Sequence, residues 1–84
     1  MLRTLRVDGL VRKYCVHILI DFGSTHNFLD ERLVRRLGLD AEPTTGFDVA
    51  IGDVTKLRAE SLCRRVGIRV QGYDIIGDLY PLAL

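Results

Sequence analysis

The sequence predicts a mainly β domain with one short helix, and three observations lead there. Apolar, β-branched and aromatic residues gather in short runs of strand length, clearest at residues 14–20 (YCVHILI). Gly52-Asp53 and Gln71-Gly72 separate later runs as hairpin connections do. Only the stretch after residue 25 spaces its apolar residues for a helix.

At the N-terminus Leu2, Thr4 and Arg6 alternate with Arg3, Leu5 and Val7, a period of two that ends at Asp8-Gly9. Residues 14–20 are almost wholly apolar, which suits a strand buried on both faces. Arg12-Lys13 falls at the turn between these two strands. The second strand stops at Asp21-Phe22-Gly23-Ser24-Thr25, where Gly23 supplies the backbone freedom of a tight loop. A helix is expected next. Thr25 or Asn27 can cap it, and Asp30 and Glu31 suit the positive end of its dipole. Phe28, Leu29, Leu33, Val34 and Leu37 fall largely on one stripe. Gly38 is placed to end the helix and Pro43 to break the chain. Beyond it, residues 47–51 and 56–59 flank Gly52-Asp53, and residues 63–70 and 73–79 flank Gln71-Gly72. Val66, Ile68 and Val70 alternate with Gly67 and Arg69, giving one face to the core. The order is strand, strand, loop, helix, hairpin, hairpin, without internal repeat or low-complexity stretch.

Eighty-four residues allow one domain, and a domain this small buries only about 60% of its unfolded surface. A hydrophobic fraction of 48% with 27% charged residues excludes disorder over most of the length. The net charge of +1 gives no basis for binding nucleic acid or a membrane surface. Arg32, Arg35 and Arg36 follow Asp30 and Glu31 and read as a solvated helix face. No apolar run approaches the roughly 20 residues that span a bilayer. The N-terminus alternates Leu and Arg where a secretory leader has an apolar stretch. An intracellular, cytoplasmic protein is the expectation. Cys15 and Cys63 form no CxxC pair and have no zinc-finger spacing, so both are expected as buried thiols in a reducing compartment. His17, inside an apolar strand, reads as a core histidine with a satisfied ring, and His26 as a loop hydrogen-bonding residue.

The chemistry centres on Ile18-Leu19-Ile20-Asp21-Phe22-Gly23-Ser24-Thr25. An acid at the end of a buried strand, just before a glycine loop, is held rigidly beside apolar surroundings. It is costly to ionise unless loop amides donate to it. That is what acid–base hydrolysis requires. Asp21 capping its own loop through the amides of Gly23 and Ser24 explains the same pattern. Asp21-Phe22-Gly23 also spells the magnesium-binding triplet of protein kinases, but no glycine-rich loop, lysine strand or catalytic-loop segment accompanies it.

The longer string ILIDFGSTHNFLDERLVRRLGL resembles the active-site region of retropepsin-like aspartic proteases from plant long-terminal-repeat retrotransposon polyproteins. There the motif runs into Thr-His-Asn-Phe and a short helix ending in Leu-Gly-Leu. The resemblance continues through Val49-Ala50-Ile51-Gly52-Asp53, which looks like the flap hairpin. It then takes in Cys63, Ile68-Arg69-Val70-Gln71-Gly72-Tyr73 and Asp78-Leu79-Tyr80-Pro81-Leu82. It implies a retropepsin-like acid-protease half-barrel with one short helix after the active-site loop, as a single domain over residues 1–84. It implies that Asp21 is the catalytic acid, that Phe22, Gly23 and Ser24 form its loop, and that Ala50, Ile51, Gly52 and Asp53 close over substrate. One acid per chain means that the site forms on the two-fold axis of a homodimer. Two carboxyls about 3 Å apart share one proton there; one activates a water and the other donates to the developing oxyanion. Neither metal nor organic cofactor is implied. The partners implied are a second copy of the chain, in a C2 homodimer or a strand-exchanged one, and a peptide or polyprotein substrate; nucleic acid and membrane are not.

Two departures bear on activity. The family has Ser or Thr where this chain has Phe22, and that hydroxyl braces the two aspartate loops across the dimer axis. The family also continues past its Leu-Pro-Leu region with a Gly-Tyr-Asp segment and a strand that supports the active-site loop. The expectation is therefore a half-barrel incomplete at its C-terminus, with hydrolysis impaired and a role in dimerisation or partner binding. An active endopeptidase cleaving a polyprotein is the alternative.

Overall fold

The computed structural model describes residues 4–21, 26–51 and 55–84. The mainly β architecture with one short helix is the one observed. Its elements are β1 (Thr4–Val11), β2 (Tyr14–Asp21), β3 (His26–Asp30), α1 (Glu31–Leu37), β4 (Glu42–Ile51), β5 (Thr55–Val70) and β6 (Tyr73–Leu82). The strand order is β1-β2-β3-β6-β5-β4, and a further pairing of β1 with β5 joins five of the six strands into a ring. That closure rests on Leu10 opposite Arg69. A side chain at Gly9 would obstruct it, because a Cβ there would lie 3.2 Å from the Arg69 carbonyl oxygen and 3.2 Å from Ile68 Cγ2.

β1 and β2 form a hairpin in full register from Thr4 opposite Asp21 to Val11 opposite Tyr14. Asp8-Gly9 therefore lies inside β1 rather than ending it. Arg12 and Lys13 make the turn with φ of 50° and 69°, the doubly left-handed geometry that matches the twist of a two-residue hairpin. Gln71 and Gly72, with φ of 50° and 81°, repeat it between β5 and β6.

β5 changes partner along its length. Residues 55–62 pair with β4 and residues 63–70 with β6. The second register is interrupted between Cys63 and Val66, where Arg65 has φ of 55° and donates its backbone N–H to Asp78 Oδ1 at 2.9 Å. That bulge bends the strand as it leaves one partner for the other. Pro43 stays within β4 opposite Ser61, and the irregularity follows it, before Phe47.

The helix begins later than its apolar stripe predicts. Residues 26–30 are a strand, antiparallel to β2 and parallel to β6, and the N-cap is Asp30, whose side chain accepts from the Arg32 N–H at 2.9 Å. Gly38 ends the helix as expected, at φ 67°. The N–H groups of Gly38 and Leu39 return to the carbonyls of Arg35 and Val34, which satisfies the last turn in a Schellman motif. Arg12 adds a side-chain donor to the Leu37 carbonyl at 2.7 Å, tying the first hairpin to this helix end.

The core has two parts. Val11, Val16, Ile18, Leu29, Cys63, Val66, Ile68 and Leu79 fill the ring, with Val34 and Leu37 of α1 packed on them. Phe28, Val49, Ala59 and Leu82 form a second cluster, against which Leu19, Phe47, Leu57 and Tyr80 pack. Alternation along β3 divides the two, with Phe28 in one and its neighbour Leu29 in the other. β2 is accordingly buried on one face over its first half. Val16 and Ile18 point inward, while Tyr14, Cys15 and His17 are exposed. Two expectations are corrected by this alternation. Cys15 is an exposed thiol, whereas Cys63 is buried, and burial, followed by the Asp40 carboxylate, raises the Cys63 thiol above its ordinary 9.0. His17 is a surface residue whose Nδ1 lies 2.6 Å from Asp8 Oδ1.

Candidate functional site

The acid singled out in the sequence is the last residue of β2. Its backbone pairs with Thr4 on one side and with His26 on the other. The strand that delivers it is anchored by Val16 and Ile18, both nearly inaccessible to solvent. Register partners Asp21 and His26 therefore flank residues 22–25 in sequence, and the β2–β3 ladder pairs these two flanking residues. Phe22, Gly23 and Ser24 lie outside the described residues, as does the side chain of Asp21.

The proposed flap corresponds to the end of the β4–β5 hairpin. Ala50 is half-buried and pairs with Lys56; Ile51 pairs with Thr55. Gly52 and Asp53 lie outside the described residues. The hairpin carries the Asp48–Arg58 ion pair at 3.1 Å on an exposed face. At its base Val49 and Ala59 enter the second core cluster.

Sequence reasoning missed a group that joins these parts. The His26 ring stacks on Phe47 with centroids 4.7 Å apart and an interplanar angle of 26°. It meets Tyr80 nearly edge-on at 5.0 Å and 88°, and Phe47 and Tyr80 complete the triangle at 5.1 Å and 80°. These are the separations and angles at which aromatic rings attract one another. The triangle joins β3, β4 and β6, and the Asp21–His26 pair places it next to the end of β2. Its members are far apart in sequence, and only the parallel pairing of Phe28 with Tyr80 hints at their meeting.

The residues so arranged comprise an acid at the end of a strand, the β4–β5 pair and an aromatic group that links β3, β4 and β6. The chain matches the family model described as retroviral aspartyl protease over residues 5–84. It belongs to that family. No curated protein and no solved structure matches it. Membership makes the chain a retropepsin-like domain, and domains of this family typically act as dimers. No helix among the described residues is long and apolar enough to cross a membrane. Nor does any group of three His, Cys, Asp or Glu among them stand where it could hold a metal ion. Two surface grooves, one lined by Leu10, Ile68 and Ile76 and another by Cys15, His17 and Gln71, include none of the site residues.

Proposed function

We propose that this chain is a retropepsin-like domain of plant retrotransposon type that self-associates and serves as a dimerising or partner-binding module, its peptide hydrolysis impaired. The observation that carries the reading is Phe22, next to Asp21 where the family has Ser or Thr. In a dimer built about the Asp21 pair, two such rings meet near the axis where two hydroxyls would have bonded. A displacement of catalytic groups by about 1 Å costs on the order of 100-fold in rate. The placement of Asp21 at the end of an anchored strand supports the site's ancestry and the alternative of an active endopeptidase. In that reaction one carboxylate takes a proton from water, the water oxygen attacks the peptide carbonyl, and the protonated partner donates to the oxyanion.

The test compares the native chain with Phe22→Ser and Asp21→Asn on an unstructured protein substrate at mildly acid pH. Expected are near-background cleavage by the native chain, a gain of about 100-fold in Phe22→Ser, and none in Asp21→Asn. Native cleavage equal to that of Phe22→Ser and abolished in Asp21→Asn establishes the active endopeptidase instead. Equal background in all three removes aspartate-based hydrolysis from this chain.

A further inference from the structure

The sequence and the family description leave His26, Phe47 and Tyr80 without a joint role. We infer that His26 is a positioning residue: its ring, held between Phe47 and Tyr80, sets the end of the aspartate strand relative to the β4–β5 hairpin. The inference deepens the reading above and rests on it for its effect on catalysis; its structural part stands on the ring geometry.

Three features carry it. His26 is the register partner of Asp21, so the backbone that places the ring also places the last residue of β2. Its ring touches two other strands at once, stacked on Phe47 of β4 and edge-on to Tyr80 of β6. The main-chain connections between these parts are indirect. The ladders join β3 to β2 and β6, and β4 to β5, so no backbone pairing runs between β3 and β4 among the described residues. Direct contact between β4 and the β2–β3 ends is therefore made by side chains, and the second core cluster supplies the remainder of it through Phe28 and Val49. Phe28 is fully buried and anchors that cluster, whereas His26, Phe47 and Tyr80 are half-buried at its margin. A ring removed from the margin changes the relative placement of the two parts without emptying the core.

Amide hydrogen exchange on the native chain and on His26→Ala tests the structural part. The hydrogen-bonded amides of residues 47–50 and of the Asp21–His26 pair are expected to exchange at least about tenfold faster in the variant, with Val16 and Ile18 unchanged. Uniform acceleration at all these sites, or none, overturns the inference. His26→Phe keeps an aromatic ring in place and is expected to restore protection to within about threefold; failure to do so shows that the ring stack is not what acts. The catalytic part is read in the Phe22→Ser background, where adding His26→Ala is expected to lower kcat about 10- to 100-fold with KM within about threefold. Unchanged kcat in a cleaving Phe22→Ser protein overturns the positioning role. No cleavage by Phe22→Ser at all defeats the hydrolytic reading alone, and the exchange arm then decides the inference.

Discussion

Asp30 serves both as the last residue of a strand and as the cap of a helix. Its side chain accepts from the Arg32 backbone N–H and pairs with the Arg32 guanidinium at 2.7 Å. The side-chain hydrogen bond from Arg32 is the main reason its carboxyl sits below the ordinary 3.8. The folded chain thus takes up this proton less readily than the unfolded one. The stabilisation is fully present above the unfolded value and is lost as the pH falls through the lower, folded one. Replacing Asp30 by Ala removes the cap and is expected to cost about 1 kcal/mol at neutral pH. Asp30→Asn keeps a capping oxygen without the titration, so it costs less and flattens the acid limb below about pH 4. Urea unfolding of the three proteins at neutral and acid pH checks this. A native chain whose acid limb is unaltered by Asp30→Asn shows that other carboxyls carry the pH dependence.

At the level of elements, β1 crosses β5 closely, and Gly9 makes that possible. A methyl group there meets a backbone oxygen and a core side chain, both at 3.2 Å, and the backbone of β5 is held by its ladder to β6. Gly9→Ala is expected to destabilise by about 1–3 kcal/mol through overpacking, measured as a fall in urea midpoint without a change in slope. Gly67→Ala is the control, since nothing lies within 4 Å of its added Cβ, and it should leave the midpoint nearly unchanged. The same close crossing explains what could and could not be read from the sequence. Gln71-Gly72 announced its hairpin through local turn chemistry, whereas Arg12-Lys13 was placed at a turn only by its position between two strand-like runs; in both, a two-residue connection fixes the register. The strand of residues 26–30 did not, because Phe28 and Leu29 side by side fit a helical stripe as well as two sheet faces. What decides for strand is non-local: pairing with β2 on one side and with Tyr80, Pro81 and Leu82 on the other. The run at residues 14–20 looked apolar throughout, yet one of its faces lies outside the ring, and that side of Cys15 and His17 depends on closure by β5. The strand that ends at Asp21 was legible from an apolar run contiguous in sequence, while the loop expected after it lies outside the described residues. The aromatic triangle was not, since its three rings come from three separate strands.

For the molecule as a whole, small size and a divided core set the terms. A chain of 84 residues leaves a large share of its apolar surface in water. Here Tyr73 and Ile76 remain about three-quarters exposed, and Leu5, Tyr14 and Ile75 about half or more. β6 also lacks a strand partner on its second edge over residues 73–78 among the described residues, since its pairing with β3 begins only at Tyr80. Unpaired edges and exposed apolar residues of this kind favour association. If the proposed self-association is linked to folding, stability depends on concentration, because the associated state is drawn off from the unfolded one by mass action. For a folded dimer in equilibrium with unfolded monomers, each tenfold rise in protein concentration adds about 1.4 kcal/mol. With a urea slope of roughly 1–2 kcal/mol per molar for each chain of this size, hence about twice that for the dimer, the midpoint should rise by about 0.5 M per decade. Unfolding curves recorded over two decades of concentration provide the measurement, with Gly9→Ala expected to shift in parallel from a lower starting point. A midpoint that stays fixed across that range means that the chain folds as a monomer, and a site requiring two copies of Asp21 then has no basis in the folding equilibrium.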